Sequence, residues 1–375
     1  MSVRADALPA AAVAAHKVAL GHPRDASGLE RLVREGRLDP DSVVAVVGKT
    51  QGSGDRHDPT RMDADHALRQ ALLDLGTRPA EEIRRIPMVF SSGAVGLLEP
   101  NAVLFTRTDG PLTEGGEPRL VIGTSQTHAI TDAELGRLPM VDAVAGSVRE
   151  AAAAAGIDPR DASYVLTKSC LPTVPVAPHQ PTEAGYDDMP TLLRASGAAA
   201  LGVGIAVGDV TRPGLDSQIS TDAALWSGRA STSTGHENPE TQVVLLGNRP
   251  GAGGTLRIGR AVMADALDVS ALNRAVRDAG LDVPGDQHLP EQVRARVVAV
   301  FVKSGNPEPT LRGRRQVQED ENPHYIAQVK ATIGGIFAAA VGDPALYISG
   351  AAVHQGPPGG GSVAVIVDHG PEVLR

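Results

Sequence analysis

Three lysines each close a short β-branched run and are followed at once by a hydroxyl residue. They are Val43–Lys49–Thr50 (VVAVVGKT), Tyr164–Lys168–Ser169 (YVLTKS) and Val297–Lys303–Ser304 (VVAVFVKS). A second set follows them: Met88–Gly93 (MVFSSG), Ala230–Gly235 (ASTSTG) and Leu346–Ala351 (LYISGA). Each carries a serine, a small residue, then Gly or Ala. The Lys-to-Ser separations are 42, 65 and 46 residues, for Lys49–Ser91, Lys168–Ser233 and Lys303–Ser349. A serine is a weak nucleophile until a neighbouring base removes its proton, and a desolvated lysine of lowered pKa can be that base. The small residues beside each serine let backbone N–H groups approach a carbonyl oxygen closely. One such pair alone reads more readily as a solvated lysine and a turn serine. Three copies weaken that reading, although a duplication kept for packing would also leave them.

The elements that must carry these residues repeat too. Helical spacing of apolar residues precedes each lysine strand, over Leu29–Arg37, Val141–Gly156 and Ala271–Gly280. Another helix lies between lysine and serine, near Asp63–Gly76, Leu193–Val207 and Tyr325–Val341. About ten residues after each serine comes a further strand: Ala102–Thr106, Val243–Gly247 and Val363–Val367. The predicted order is helix, strand ending in Lys, helix, strand ending in Ser, strand. Gly- and Pro-rich joints at Asp109–Pro118 and Asn248–Gly254 divide the chain into units over 1–110, 118–250 and 255–375. Units this large do not stack as a solenoid. The expectation is an α/β (α+β) fold: three similar repeats around a pseudo-threefold axis, one compact domain, the lysines and serines meeting at its centre.

Composition narrows the partners. The 375 residues carry a net charge of −9 and only nine aromatics, against 42 glycines and 28 prolines. Nucleic acid, which needs basic grooves and stacking platforms, is not expected. No run reaches a membrane span, and the N-terminal stretch has no signal-peptide apolar region. A single cysteine, Cys170, fits a reducing cytoplasm, where we expect the protein to be.

The stretch Ile348–Val367 (ISGAAVHQGPPGGGSVAVIV) resembles the signature of the ring-opening amidohydrolases, the cyanuric acid hydrolase and barbiturase family. Gly48–Arg61 (GKTQGSGDRHDPTR) is similar to that family's first lysine motif, and SSGAVG, KSCLPT and LRGRR follow in the expected order. The resemblance implies three equivalent repeats with a central site, a homotetramer, and hydrolysis of a small cyclic amide without a catalytic metal. It implies Ser233 as nucleophile and Lys168 as base, with Ser231 and Ser227 close enough for the register to slip. Lys49 with Ser91 and Lys303 with Ser349 become supporting pairs, and Ser92, Thr234 and Gly350 neighbours of the substrate. The family's one arginine per repeat falls on Arg61 and Arg194, while Lys330 takes the third place. That exchange replaces a two-pronged donor with a point charge.

Other departures bear on substrate and metal. The family's glutamate for a structural cation, Mg or Ca, falls on Gly305. This leaves the backbone of Gln355, Gly356, Pro357 and Gly360, with Glu308 as a replacement carboxylate. Ala94–Val95 and Ala351–Val353 stand where polar neighbours are usual, which implies a more apolar pocket. A silent binding protein that kept the pocket, or a hydrolase for another lactam or cyclic imide, are the rival readings. Several motifs mislead. The Gly-Lys-Thr of Val43–Thr50 has valine where a phosphate-binding loop needs its first glycine. Gly202–Gly208 suits close helix packing better than a dinucleotide, Cys170 a buried site better than a nucleophile, and His354 backbone ordering better than metal. Arg312, Arg314 and Arg315 suit an acidic ligand, a solvated run or a subunit contact equally.

Overall fold

The computed structural model describes residues 11–53, 58–112, 115–171, 189–285, 288–305, 310–315 and 325–371. Its strands form three four-stranded sheets and one short hairpin. The first stretch runs β1 (Ala12–Ala19), α1 (Ser27–Arg34), β2 (Val43–Lys49), α2 (Thr60–Leu75), α3 (Ala80–Arg84), β3 (Met88–Ser91) and β4 (Asn101–Thr108). The second runs β5 (Arg119–Ala129), α4 (Leu138–Ala155), β6 (Ala162–Cys170), α5 (Met189–Val207), β7 (Ala230–Gly235) and β8 (Glu240–Arg249). The third holds β9 (Leu256–Met263), α6 (Ser270–Asp278), α7 (Glu291–Arg294) and β10 (Val297–Ser304). It continues through the hairpin β11 (Thr310–Leu311) and β12 (Arg314–Arg315), then α8 (Tyr325–Val341), β13 (Tyr347–Ser349) and β14 (Gly361–Asp368).

The sheet orders are β1-β4-β2-β3, β5-β8-β6-β7 and β9-β14-β10-β13. In each, the lysine strand pairs parallel with the serine strand and antiparallel with the last strand. The predicted elements are present, but each sheet has a leading strand, β1, β5 or β9, that the sequence reading lacks. The reason is visible in β1 (AVAAHKVA). It is rich in alanine, a weak strand former, is mostly half-buried, and pairs with β4 alone. α1 also stops short of Arg37, because Gly36 turns left-handed at φ +67°.

Strand alternation decides where the chemistry points. Side chains two apart share a face. Ala45, Val47 and Lys49 therefore line one side of β2; Tyr164, Leu166 and Lys168 line one side of β6; Ala299, Phe301 and Lys303 line one side of β10. The apolar members of all three rows lie in one shared buried cluster. Four of the nine aromatics, Phe105, Tyr164, Phe301 and Tyr347, are in it. Phe301 is the hub, its ring 6.4 Å from Tyr164 and 6.0 Å from Tyr347. Phe301→Ala would remove these contacts at about 3–5 kcal/mol.

The opposite faces of the sheets carry helices, with three further buried clusters beneath them. α4 and α5 cover the second sheet, and a side chain at Gly202 would sit 2.7 Å from the Val141 carbonyl and Val144 Cβ. Close helix packing thus accounts for that glycine. Cys170 is buried, and Arg312 forks onto Asp265 at 2.7 and 3.0 Å. Among the described residues no helix is long and apolar enough to cross a membrane.

Candidate active site

Each lysine lies directly opposite its serine in the parallel ladders: Lys49 against Ser91, Lys168 against Ser233, Lys303 against Ser349. Ser233 is thus the serine opposite Lys168, whereas Ser231 lies opposite Leu166 and Ser227 hydrogen-bonds Asp209. The serines continue the same alternation, so Val89 and Tyr347, two residues before Ser91 and Ser349, lie in the shared cluster. All six side chains are buried.

Hydrogen bonds join the sheets across the centre. Lys49 Nζ donates to Ser91 Oγ at 3.3 Å and to the Ser92 carbonyl at 2.5 Å. Lys303 Nζ donates to Ser349 Oγ at 3.2 Å and to the Thr232 carbonyl of the second sheet at 2.6 Å. The Lys168 pair differs. Lys168 Nζ and Ser233 Oγ both donate to the Phe90 carbonyl of the first sheet, at 3.0 and 2.9 Å. Lys168 also forms an ion pair with Glu237 Oε2 at 3.1 Å.

Arg61 and Lys330 reach this cluster from the helices. Asp58 accepts from the Thr60 N–H at 2.9 Å and holds the first turn of α2, where Arg61 follows. Arg61 Nη1 donates to Ser92 Oγ at 2.7 Å and Nε to Glu237. Lys330 Nζ, from α8, donates to the Ser92 carbonyl at 3.2 Å. Gly93 (φ +76°) makes room, because a Cβ there would fall 2.3 Å from Lys330 Nζ. Gly350 packs along the Lys330 stem. Thr234 Oγ1 is buried without a hydrogen-bond partner among the described residues. Arg194 is not brought in: it is exposed beside Gly136 at the start of α5. Pro172 and Thr173 of KSCLPT, and Glu308, lie outside the described residues.

Four buried ammonium groups in one cluster weaken one another's protons. Burial first, then Lys330 and Lys168, brings Lys303 down to about 7. Burial first, then Lys330, Lys303 and Arg61, holds Lys49 well below the usual range. Lys330 falls to about 8 through burial and Arg61, opposed by Asp58. Lys168 also falls to about 8: burial lowers it, Glu237 raises it, and Arg61 lowers it again. Burial works to protonate Glu237, but Lys168 and Arg61 outweigh it and hold the carboxyl near 2. A lysine near 8 supplies neutral amine around neutral pH and remains basic enough to take a hydroxyl proton.

Glu237 is the residue that sequence reasoning missed. Its signal was its place four residues after Ser233, where Ser91 and Ser349 are followed by Val95 and Val353.

In the loop before β14 two of the expected backbone carbonyls already accept hydrogen bonds. The Gly360 carbonyl accepts from the Gly305 N–H at 2.5 Å, and the Pro357 carbonyl from the Gly360 N–H at 2.9 Å. Gln355 turns its side chain onto the Thr232 N–H at 2.6 Å. A side chain at Gly305 would meet the Gly360 oxygen at 2.7 Å, and no three His, Cys, Asp or Glu residues gather among the described residues. His354 orders backbone: its Nε2 accepts from the Ser220 N–H at 2.8 Å and its Nδ1 meets the Leu225 carbonyl. A cavity of about 180 Å³ beside it is lined by Ser220, Asp222, Trp226 and Val353, and by none of the six Lys and Ser residues.

Comparison with known proteins places this geometry. Residues 14–368 match the family model described as amidohydrolase ring-opening protein. The chain is 38% identical to Barbiturase 1 of Nocardioides sp., covering 96% of this chain and 99% of that one. It is 40% identical to a cyclic amide hydrolase of Azorhizobium caulinodans, over 95% and 99%, and 36% identical to a cyanuric acid amidohydrolase of Enterobacter cloacae, over 93% and 97%. The solved cyanuric acid hydrolase from A. caulinodans superposes with a TM-score of 0.82 at 32% identity, over 96% of this chain and all of that one. A second solved cyanuric acid hydrolase, described as an evolutionary innovation by structural concatenation, gives 0.83 at 30%, over 96% and 100%. The chain belongs to the ring-opening amidohydrolase family.

Proposed function

We propose that this protein is a hydrolase that opens a cyclic imide or ureide of the barbituric or cyanuric acid type, with Ser233 as nucleophile and Lys168 as base. The observation that carries the reading is the register of Lys168 directly opposite Ser233, both held on one carbonyl oxygen within a ring of lowered-pKa lysines. Neutral Lys168 takes the Ser233 proton as Oγ attacks a ring carbonyl. Backbone N–H groups of the serine turns stabilise the oxyanion. The C–N bond then breaks, and Lys168 returns the proton to the leaving nitrogen. Lys168 then takes a proton from water as it attacks the acyl-enzyme, the C–Oγ bond breaks, and Lys168 passes that proton to Ser233 Oγ, freeing the opened acid and restoring the enzyme.

The identical strand orders support three copies of one unit about a pseudo-threefold axis, with the substrate at its centre. The relative described as a structural concatenation supports the same reading. Such a pocket suits a six-membered ring of alternating carbonyl and N–H groups. Arg61 and Lys330 are unequal cations, a fork and a point, which favours a ring with unequal edges such as barbituric acid.

The test is turnover followed by ring absorbance and product mass over a panel of such rings. Ser233→Ala is expected to lose about 10⁴-fold or more in kcat, and Lys168→Ala about 10²–10⁴-fold. Full activity in either variant overturns the reading. Tight binding with no turnover by the intact protein would instead support a silent binding protein.

A further inference from the structure

We propose that Glu237 is the positioning residue that makes the three Lys–Ser pairs unequal, holding Lys168 and Arg61 on one carboxylate so that the second pair alone acts as base and nucleophile. The proposal rests on the Ser233–Lys168 reading above. Its basis is a break in an otherwise regular pattern. Ser91 and Ser349 are followed four residues later by Val95 and Val353, whereas Ser233 is followed by Glu237. The carboxylate sits in the short connection between β7 and β8, its side chain only 6% exposed. One oxygen faces Lys168 Nζ at 3.1 Å and the other accepts from Arg61 Nε. An unpaired carboxylate would not be buried so deeply, so the two cations hold it and it holds them. Gly235 is part of the device. A Cβ there would lie 2.1 Å from Glu237 Oε2 and 2.8 Å from Lys168 Nζ, so a methyl would push the two charged tips out of their present places.

Two consequences follow. Lys168 is drawn onto Glu237 and the Phe90 carbonyl, whereas Lys49 and Lys303 donate to their own serines. With Nζ placed as donor to its own serine, each of these two lysines holds the hydroxyl oxygen instead of standing ready to take its proton. Arg61, anchored at Nε, presents Nη1 to Ser92 at the pocket. The charges facing Lys168 are Glu237 from the β7–β8 connection, Arg61 and Asp65 from α2, and Lys303 from β10; Asp58 and Lys330 act through Arg61 and Lys303. Glu237 is the anion in contact with it, and it stays ionised because its carboxyl is held near 2. Without that anion Lys168 would lose its proton more readily.

The test compares the intact enzyme with Glu237→Gln and Glu237→Asp, reading kcat and kcat/KM against pH on an opened ring. In Glu237→Gln the acidic limb of kcat/KM is expected to move down by about 1–3 pH units, with kcat reduced about 10²-fold at the plateau. In Glu237→Asp the charge remains, so the limb stays while kcat falls and KM changes little. An unmoved limb in Glu237→Gln overturns the proposal. So does a KM rise without a kcat loss in Glu237→Asp, the variant that decides the matter if Glu237→Gln does not fold. Ser233→Ala, run alongside, separates the outcomes. If it keeps turnover, the nucleophile assignment fails, whatever Glu237 does.

Discussion

In the first and third sheets the lysine Nζ donates to its own serine hydroxyl, at 3.3 and 3.2 Å, whereas in the second Lys168 and Ser233 both turn to the Phe90 carbonyl. The backbone does not cause the difference, because all three pairs share one register. The surroundings cause it. Val95 and Val353 leave Lys49 and Lys303 with neutral acceptors only, while Glu237 supplies Lys168 with a counter-charge. Three sheets of one strand order thus place three Lys–Ser pairs in the same register, and the residue in the connection after the serine is where their surroundings differ. In the proposed mechanism the first and third pairs serve as fixed donors that hold two edges of a ring while the second reacts.

The largest effect expected from this contrast lies in the serines. Ser233→Ala should remove turnover, about 10⁴-fold or more, whereas Ser91→Ala and Ser349→Ala should each cost about 10–10²-fold, the loss of a substrate-facing hydrogen bond. Steady-state kinetics on all three decides it, and equal losses would erase the distinction. Next come the glycines. Gly235→Ala drives a methyl between Glu237 and Lys168 and is expected to lower kcat about 10²-fold. Gly93→Ala instead crowds the flexible tip of Lys330 and adds left-handed strain of about 1–2 kcal/mol. Its signature should be a raised KM and a lower melting temperature. A kcat loss as large in Gly93→Ala as in Gly235→Ala would count against a special second pair.

Much of this site was legible in the chain because it is periodic. Lys49, Lys168 and Lys303 end runs whose period of two commits them to the face carrying Val47, Leu166 and Phe301. The serine positions followed from the same spacing. What stayed hidden depends on contacts distant in sequence. Glu237 approaches Arg61 from 176 residues away, and nothing local to either predicts the pair. Arg194 occupies the expected helical position, yet it faces outward beside Gly136. The leading strands β1, β5 and β9 escaped because an edge strand needs only one partner and a modest apolar row. Gly305 shows the converse: its missing carboxylate was plain, but only the fold shows the Gly360 carbonyl occupying that space.

The smallest effect expected is on stability, and it has a sign. Lys303 titrates near 7 in the folded protein, against about 10.4 in an unfolded chain. Between those values the unfolded chain binds a proton that the fold does not, so stability contributed by this group rises with pH across that window. Below about pH 7 both states are protonated and the full penalty of a buried ammonium is in place. Lys303→Met abolishes that titration but also removes hydrogen bonds to the Thr232 carbonyl and Ser349. The net expectation is a variant more stable than the parent by on the order of 2 kcal/mol at pH 6, with the advantage passing through zero between about pH 8 and 9 and turning into a deficit of similar size by about pH 10, where only the lost hydrogen bonds remain. Lys168→Met should behave in the opposite way, because it strands Glu237 with Arg61 as its one remaining contact cation and leaves a buried carboxylate half-compensated. Urea unfolding at pH 6, 8 and 10 measures both. If the two variants shift stability alike at every pH, Glu237 does not distinguish Lys168 from Lys303, and the inequality of the pairs fails at its physical root.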